Sequence, residues 1–464
     1  MEGTTTATSS EGNKRKGAWW EVETAAPDPI FGVAAACAAD TRKDKVDLAV
    51  GAYRDSEGRP WVLPCVRRAE ALLTMQNDKE GNKEGATLPD HEYLPVGGLA
   101  AFNAGAREAA LGAPGVCCAA DCVATVQTLS GTGALRLAAE LLARWPRGTR
   151  AVHVPAPTWA NHAAVFGAAG LAVQRYPYWD AAARTVDVAG VLKAVRDAPP
   201  RSVFLFHACA HNPTGADPAP TDWARICAAC RARAHTVVFD AAYQGLASGD
   251  AEQDAFAMRL FARAQNGGSM KKQNNLKQEQ QEQEQGLPPG GLLICQSFAK
   301  TLGLYGERVG ALHVVCADAE EAGRVRSQVL AAARALYSSP PAWGARLAST
   351  VFAHAELRAQ WAADVRHMAQ RLADMRAALV AALERADKGA APQRWAHIAR
   401  QTGMFAYTGL SPRQCAALAR EHAVYLTANG RLSLAGLNPA NVDRVAQAIH
   451  CVTVDYPEVP ETEA

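Results

Sequence analysis

The sequence predicts an α/β fold, with a mostly parallel sheet covered by helices on both faces and a helix-rich second part. Short runs of β-branched residues alternate with Ala/Leu-rich stretches of helical length between residues 123 and 295. Strands separated by helices are typical of βαβ units, whose strands run parallel. From about Pro340 the pattern changes to long helices over residues 342–387, and a small mixed segment follows at about 391–451.

Six short apolar runs are interpreted as strands of this sheet. They are Val123–Leu129, 151–154, 173–176, 203–206, 237–240 and 292–295. A helix over 135–144 follows the first strand. Two polar segments interrupt the pattern. Residues 76–90 are interpreted as a surface loop. Residues 265–290 are interpreted as a disordered insertion, because between Lys271 and Gln285 only Leu276 is apolar and such a tract cannot bury enough surface to fold.

The charge balance argues against nucleic-acid and membrane partners. The chain of 464 residues has 48 Lys+Arg and 46 Asp+Glu, a formal net charge of +2, which creates no long-range field for an anionic surface. The longest stretch without Asp, Glu, Lys or Arg covers residues 151–174, but Pro155, Pro157 and Asn161 interrupt it. The two prolines interrupt a helix and Asn161 adds a polar side chain, so this stretch is unsuited to span a membrane.

The cysteines and the first residues indicate a reducing compartment. Twelve cysteines are scattered along the chain, a pattern more typical of free thiols than of disulfides. Cys227 and Cys230 form a lone CxxC, for which packing is favoured over a metal or redox role. The first 18 residues lack the apolar core of a secretory signal, and Glu2 and Glu11 argue against a transit peptide. We expect a cytoplasmic protein, with organellar targeting left open.

Candidate site residues follow several predicted strands, where parallel sheets bind ligands. After the first strand comes Ser130-Gly131-Thr132-Gly133 and then a helix. Small residues at a helix N-terminus favour a phosphate group, although a tight turn is an equally simple interpretation. The segment lacks the GxGxxG spacing of a dinucleotide site.

A carboxylate and an amide follow two further strands. Asp240 ends the run VVFD, with Tyr243 three residues later, and Asn212 lies in HACAHNPTG. Asp240 could cap a helix, or it could hold a proton on a heterocyclic nitrogen. His207 and His211 have the spacing of a metal pair but no carboxylate or cysteine partner, so we predict no metal site.

The segment QSFAKTLGLYGERVG is the most informative. It places Ser297, Lys300 and Arg308 after a strand, in a Gly-punctuated stretch that is not one regular helix. A lysine in a closed pocket loses solvation, which lowers its pKa and frees its amine to attack carbonyls. Arg308 and Ser297 could hold a phosphate. A pocket that combines this lysine, a buried acid, a tyrosine and groups that hold a phosphate is typical of a site for pyridoxal 5'-phosphate (PLP).

These motifs in order resemble the class I PLP-dependent aminotransferases, specifically the aspartate aminotransferase subgroup. The likeness extends from about Trp19 to Val452, outside the two polar segments. Besides the lysine segment it includes PDPIFG (27–32), LAVGAYRD (48–55), EYLPVGGL (92–99), SGTGALR (130–136), PTWANH (157–162), HACAHNPTG (207–215), VVFDAAYQGLASGD (237–250), QTGMFAYTGL (401–410) and NGRLSLAGL (429–437).

The resemblance implies roles around PLP. Lys300 would hold PLP covalently and move the proton at the substrate Cα, and Asp240 would keep the pyridine nitrogen protonated. Trp159 would stack on the ring, with His162 behind Asp240. The ring oxygen would be bound by Tyr243 and Asn212. The phosphate would be bound by Ser130, Gly131, Thr132, Ser297 and Arg308, together with Tyr93 of the partner subunit.

The resemblance also implies a dicarboxylic substrate. Arg431 would bind the α-carboxylate, assisted by Asn212, Trp159 and the backbone of Gly51, and Arg334 would bind the distal carboxylate across a dimer. The segment RALYSSPP departs from the family's RPMYSNPP at Ala335 and Ser339, which loosens the loop after Arg334. The implied reaction is reversible amino transfer between L-aspartate and 2-oxoglutarate, giving oxaloacetate and L-glutamate, by a ping-pong scheme through pyridoxamine phosphate.

The implied organisation is a fold-type I homodimer with shared active sites and a seven-stranded, mostly parallel sheet. Residues 1–26 would form an arm whose Trp19 and Trp20 pack on the partner subunit, 61–360 the large PLP-binding domain, and 27–60 with 361–464 a smaller α/β domain. Alternatives are an aminotransferase preferring aromatic substrates, a β-decarboxylase and a noncatalytic PLP-fold protein. The last would be expected to lack Lys300, Asp240 or Arg431, and all three are present.

Overall fold

The computed structural model describes residues 18–75, 90–145, 151–265, 290–388 and 393–457. The polar segments predicted at 76–90 and 265–290 lie outside the described residues except at their ends, as do residues 1–17 of the predicted arm. The strands of the described residues are β1 Val46–Asp47, β2 Val123–Leu129, β3 Ala151–Ala156, β4 Ala172–Pro177, β5 Trp179–Asp180, β6 Thr185–Val186, β7 Val203–His207, β8 Thr236–Ala241, β9 Leu292–Ser297, β10 Val309–Val315, β11 Phe405–Tyr407, β12 Val424–Tyr425 and β13 Arg431–Ser433.

Helices surround these strands. The α-helices are Phe31–Ala39, Pro64–Met75, Ala100–Leu111, Ser130–Arg144, Asn161–Gly167, Val188–Asp197, Pro220–Ala232, Ala251–Asp254, Phe256–Gln265, Ala319–Leu336, Trp343–Ala353, Ala355–Ala386, Ala396–Ala399, Pro412–His422 and Val442–Asp455, and short 3₁₀ turns cover Ala120–Cys122 and Leu434–Gly436. Within the described ranges, no helix combines the length and the apolar composition that a membrane crossing requires.

The central sheet has seven strands in the order β2-β10-β9-β8-β7-β3-β4. The pairs β9–β8, β8–β7, β7–β3 and β3–β4 are parallel, whereas β10 is antiparallel to both of its neighbours. This confirms the predicted mixed α/β fold with its mostly parallel seven-stranded sheet. All six predicted strands are present. β10 was missed, because it follows a Gly-containing loop rather than a helix and so breaks the βαβ pattern.

Both faces of the sheet are buried, which explains the continuous apolar runs in its strands. Along β7, Phe204 and Phe206 point into one apolar cluster with Phe239, while Val203 and Leu205 point into the cluster on the opposite face. Successive side chains of a strand alternate between faces, so one short run supplies both layers. A third cluster surrounds the long helix Ala355–Ala386 and the short strands near the C-terminus.

All twelve cysteines are free thiols. Cys227 and Cys230 are buried on the helix Pro220–Ala232, within the cluster that contains Phe206 and Phe239. Burial raises the pKa of the Cys227 thiol to about 12 and raises that of Cys230 as well. Both thiols are therefore protonated side chains of the apolar core.

Candidate active site

The carboxyl ends of the parallel strands meet at one pocket. In the sheet register, His207 at the end of β7 lies opposite Asp240 of β8, and Asp240 lies opposite Cys295 of β9. The pocket brings together most of the predicted site residues. Its lining consists of Ser130, Gly131, Thr132, Leu135, Trp159, His207, Asn212, Asp240, Ala242, Tyr243, Ser297, Lys300 and Arg308.

A chain of hydrogen bonds behind the pocket ends on Asp240. The backbone N–H of Asn212 donates to His207 Nδ1 at 3.4 Å, so the proton of His207 is on Nε2, which contacts Thr158 Oγ1 at 3.2 Å. The Thr158 hydroxyl then donates to His162 Nδ1 at 2.8 Å, and His162 Nε2 donates to Asp240 Oδ2 at 3.0 Å. Because a backbone N–H can only donate, this order assigns the tautomer of both rings.

Asp240 is a carboxylate despite its burial. Burial alone raises its pKa, but the hydrogen bond from His162 and electrostatic interactions with His162, His207 and Lys300 outweigh that effect, and the net pKa lies below the ordinary value. The neighbouring His207 is neutral, because burial lowers its pKa to about 3. The pocket therefore holds a fixed negative charge supported by the hydrogen bond from His162.

Lys300 lies in the same pocket as Asp240. Its Nζ is 5.1 Å from the centre of the Tyr243 ring. Burial lowers the pKa of Lys300, and the positive charges of Arg308 and Arg431 lower it further, against the opposing effect of Asp240. A lysine with a lowered pKa has a larger fraction of free amine at neutral pH, which is the nucleophilic form.

The opposite end of the pocket is built for an anion. The helix Ser130–Arg144 begins directly after β2, so Ser130, Gly131 and Thr132 form its first turn. This corrects the sequence prediction, which started the helix at residue 135. The Ser130 and Ser297 hydroxyls are 2.9 Å apart, and Arg308 lines the same space. The unpaired N–H groups of a helix N-terminus attract phosphate groups.

A glycine allows these segments to approach each other. A Cβ on Gly310 would lie 2.5 Å from the Gln296 carbonyl oxygen and 2.6 Å from the Ser130 carbonyl carbon. Both are backbone atoms that cannot move aside. The backbone N–H of Ser130 donates to the Arg308 carbonyl at 3.1 Å, so the first helical turn and the loop carrying Arg308 are joined directly.

Arg431 extends the site beyond the pocket lining. It begins β13, and its Nη1 donates to Asn212 Oδ1 at 3.1 Å while its Nη2 donates to the Ala49 carbonyl at 2.6 Å. The guanidinium lies 4.2 Å from the centre of the Phe405 ring. Burial lowers the pKa of Arg431 to about 10, so it keeps its charge at neutral pH and offers it to a carboxylate with little competition from water.

Besides Arg431 and His162, three predicted residues lie outside the pocket lining. Neither Tyr93 nor Arg334 is among the described residues that line the pocket. Tyr93 is 84% exposed, and Arg334 is an exposed side chain that donates to the Ser338 hydroxyl. Gly51 lies in the segment whose Ala49 carbonyl accepts from Arg431. The pocket of a single chain therefore lacks some of the residues that the sequence predicted for the site.

His162, His207 and Asp240 could also be considered as metal ligands, since one ligand atom from each lies within 4.8 Å of the others. The hydrogen-bond chain uses both nitrogens of His162 and both nitrogens of His207. A metal ion would have to break this chain, so the arrangement is that of a positioned carboxylate.

Sequence reasoning assigned no site role to Thr158 or His207. His207 was considered only as a metal ligand, although its position at the end of a strand was a signal that it faces the pocket. Thr158 gave no comparable signal, because a threonine beside Pro157 is common in turns. The hydrogen bond between Thr158 and His207 in the folded protein places both residues in the series of hydrogen bonds that ends on Asp240.

The donor set fits PLP. A helix N-terminus, two serine hydroxyls and Arg308 suit its phosphate. The Asp240 carboxylate suits a protonated pyridine nitrogen, and the Lys300 amine between them suits its aldehyde. Trp159 and Ala242 line the same space, which provides an aromatic face and an apolar contact for a planar ring.

Comparison with known proteins identifies close relatives. A sequence model of the family described as aminotransferase class I and II matches residues 43–449. The chain is 42% identical over 440 residues to the mitochondrial aspartate aminotransferase of Gallus gallus, covering 95% of both chains.

Solved structures of aminotransferases are also similar to the chain. The chain is similar to the cytoplasmic aspartate aminotransferase of Saccharomyces cerevisiae, with a TM-score of 0.84, 39% identity, and coverage of 95% of this chain and 99% of the other. It is also similar to the aromatic-amino-acid aminotransferase of Burkholderia pseudomallei covalently bound to pyridoxal phosphate, with a TM-score of 0.81, 37% identity, and coverage of 94% and 99%.

Proposed function

The chain belongs to the class I and II aminotransferase family, and from this premise we propose that it is a PLP-dependent aspartate aminotransferase. The reaction is reversible amino transfer between L-aspartate and 2-oxoglutarate, giving oxaloacetate and L-glutamate. The observation that carries the proposal is the single pocket that joins Lys300, Asp240 and the helix N-terminus at Ser130, in a chain 42% identical to an aspartate aminotransferase over 95% of its length. The relatives that are 42% identical to the chain are aspartate aminotransferases, and they do not favour the aromatic-preferring alternative.

PLP, when bound, supplies an aldehyde that condenses with amino groups and a ring that withdraws electrons from the substrate Cα. We propose that Lys300 attaches it and that Ser130, Gly131, Thr132, Ser297 and Arg308 hold its phosphate. Asp240 holds the proton on the pyridine nitrogen, and Trp159 covers the ring. Tyr243 and Asn212 bind the ring oxygen, consistent with the 3.4 Å hydrogen bond from Asn212 Nδ2 to the Tyr243 hydroxyl.

Lys300 also moves the substrate proton. Its free amine, favoured by the lowered pKa, would carry the proton between the substrate Cα and the C4′ carbon of bound PLP. The Asp240 carboxylate, fixed by His162, stays charged throughout because its pKa is held below the ordinary value. General acid-base transfer of this kind contributes about 10²–10⁴-fold to a rate.

Two arginines select a dicarboxylic substrate. Arg431 takes the α-carboxylate with Asn212, to which it is already hydrogen-bonded at 3.1 Å, and the Gly51 backbone and Trp159 complete that side. Arg334 takes the distal carboxylate in the pocket of a partner subunit. A bidentate Arg–carboxylate pair out of water favours such substrates by about two to three orders of magnitude.

A homodimer with shared active sites accounts for the residues outside the pocket. Tyr93 and Arg334 are exposed in one chain, and neither lines its pocket. Trp19 and Trp20 are also exposed, by 81% and 57%. Large apolar side chains exposed together mark an interaction surface, and we propose that this arm, residues 1–26, packs on the partner.

The division into a large domain at 61–360 and a small domain of 27–60 with 361–464 is part of the same proposal. The parallel pairing of β1 with β12 supports joining the two ends of the chain in one unit. We also propose a cytoplasmic location, supported by the free thiols. Imaging of the full chain fused to a fluorescent protein at its C-terminus tests the location.

The absorbance spectrum of the PLP-loaded protein tests the function. Adding L-aspartate without any oxo acid should replace the cofactor band by one at shorter wavelength, and 2-oxoglutarate should restore it. A cofactor band that ignores L-aspartate but responds to an aromatic amino acid would overturn the proposed substrate. Absence of a cofactor band after incubation with PLP would overturn the proposed pocket.

A further inference from the structure

Residues 48–53, called the strap below, run without regular structure past the substrate side of the pocket. Four hydrogen bonds join the strap to other segments, one of them from the Leu48 N–H to the Tyr425 carbonyl of β12 at 2.7 Å. The Ser433 N–H donates to the Leu48 carbonyl at 2.8 Å, Arg431 Nη2 donates to the Ala49 carbonyl at 2.6 Å, and the Tyr53 N–H donates to the Tyr305 hydroxyl at 2.8 Å. The bonds from Ser433 and Arg431 come from β13, and the Tyr305 hydroxyl belongs to the loop of residues 298–308 between β9 and β10, called the lysine loop below.

Tyr305 lies between Lys300 and Arg308 in that loop. Its carbonyl accepts from Arg308 Nη1 at 3.3 Å, and its hydroxyl accepts from the strap. Burial raises the pKa of the Tyr305 hydroxyl to about 12, so the group stays neutral at working pH. One residue thus contacts both the phosphate-side arginine and the segment that contains Gly51.

The strap has little freedom to shift against its neighbours. A Cβ on Gly51 would lie 2.7 Å from Cζ of Phe405, so the backbone there already touches the ring. Phe405 in turn packs edge-on against Tyr243, with ring centres 5.8 Å apart. A strap that lost its anchor at Tyr53 would keep its contacts with β12, β13 and Phe405, but its end at Tyr53 would be released and the backbone of Gly51 could then shift.

We propose that Tyr305 is a positioning residue, whose hydroxyl fixes the strap so that the Gly51 backbone and Arg431 meet the substrate carboxylate in a preset arrangement. This inference rests on the proposed function. Both substrates of an aminotransferase carry an α-carboxylate, so the positioning acts on the amino acid and on the oxo acid alike. Preorganised contacts act by removing the ordering that binding otherwise requires.

The test compares Tyr305→Phe with Tyr53→Phe in the PLP-loaded enzyme. Tyr305→Phe removes the accepting hydroxyl and keeps the ring. Tyr53→Phe removes a nearby buried hydroxyl that has no hydrogen-bond partner among the described residues and leaves the Tyr53 N–H in place. We expect Tyr305→Phe to raise KM for L-aspartate and for 2-oxoglutarate by about five- to tenfold, the usual effect of one hydrogen bond. Tyr53→Phe should leave both KM values unchanged.

Hydrogen exchange provides a readout independent of turnover. In Tyr305→Phe the amide of Tyr53 should exchange faster in a peptide that covers the strap, while in Tyr53→Phe its rate should match the wild type. The kcat of Tyr305→Phe should stay within about twofold of the wild type, since the hydrogen bond is not to a reacting atom. A rise in KM with faster exchange supports the positioning role.

Other results overturn it. Faster exchange with unchanged KM makes the contact structural only, and unchanged exchange shows that the hydroxyl does not hold the strap. In both cases wild-type turnover of L-aspartate leaves the proposed function standing. A wild-type enzyme that does not turn over L-aspartate overturns the proposed function, and the positioning inference with it.

Discussion

His162 Nε2 donates to Asp240 Oδ2 at 3.0 Å, and the ring of His162 is fully buried. The histidine holds the carboxylate in one orientation, while the chain from Asn212 through His207 and Thr158 holds the histidine in one tautomer. A buried anion is costly unless it is paired. In this pocket the pairing leaves Asp240 charged and directed by its neighbours, which is the condition for holding a proton on a ring nitrogen.

Replacement of this carboxylate tests its electrostatic role. Asp240→Asn keeps the shape of the side chain but removes its charge, and we expect kcat to fall by about 10²–10³-fold, the scale of one preorganised electrostatic contact. Steady-state kinetics at saturating PLP measure the effect. Asp197→Asn, which breaks an exposed pair with Lys193, is the control. Near wild-type kcat in Asp240→Asn would contradict the assignment.

Lys300→Ala should abolish turnover, with a loss on the order of 10⁴-fold, because it removes the amine that attaches PLP and moves the substrate proton. Noncovalent PLP binding should persist, since the phosphate side of the pocket is untouched. Turnover and cofactor content after dialysis are the measurements. Lys193→Ala removes an exposed lysine and should behave as the wild type. Substantial turnover by Lys300→Ala would show that another group carries the proton.

Mixed dimers test whether the site is shared. Arg334→Asp should lower kcat/KM for L-aspartate by about 10²–10³-fold. A hybrid of one Lys300→Ala chain and one Arg334→Asp chain should regain roughly half of the wild-type activity, because one of its two sites then has both native residues. Co-expression with two affinity tags yields the hybrid. If Arg334 served its own pocket, the hybrid would be as inactive as its parents.

Acid stability tests a buried histidine away from the pocket. Burial lowers the pKa of His313 to about 3, whereas a histidine in the unfolded chain has a pKa of about 6.5. Between these values the unfolded chain binds the extra proton, so the free energy of unfolding falls as pH falls from about 6.5 to about 3. The contribution of His313 is about 1.4 kcal/mol per pH unit in the middle of that window.

His313→Gln should remove that contribution. Urea unfolding at pH 7 and pH 5 should show a smaller loss of stability in the variant than in the wild type. His354→Gln, which replaces an exposed histidine, should follow the wild type. Equal pH dependence in His313→Gln and the wild type would mean that the His313 ring becomes protonated in the folded protein.

The strands of the sheet could be predicted because burial on both faces requires continuous apolar runs, and such runs are visible in the sequence. β10 shows the limit of this reasoning. Val309–Val315 is equally apolar, but its place between β2 and β9 depends on the lysine loop turning the chain back alongside β9. Local sequence does not report its other neighbour, because the paired residues of β2 lie far earlier in the chain.

For the site, the sequence by itself determined the residue types at the strand ends, and with them the PLP chemistry, because each of Ser130, Asp240 and Lys300 lies in a motif of its own. Only the tertiary structure decided how they act together. The hydrogen bonds that join His207 to Thr158 and His162 to Asp240, the lowered pKa of Lys300 and the hold of Tyr305 on the strap all arise between segments far apart in the chain. Hydrogen-bond direction and desolvation depend on three-dimensional neighbours, and only the folded chain supplies them.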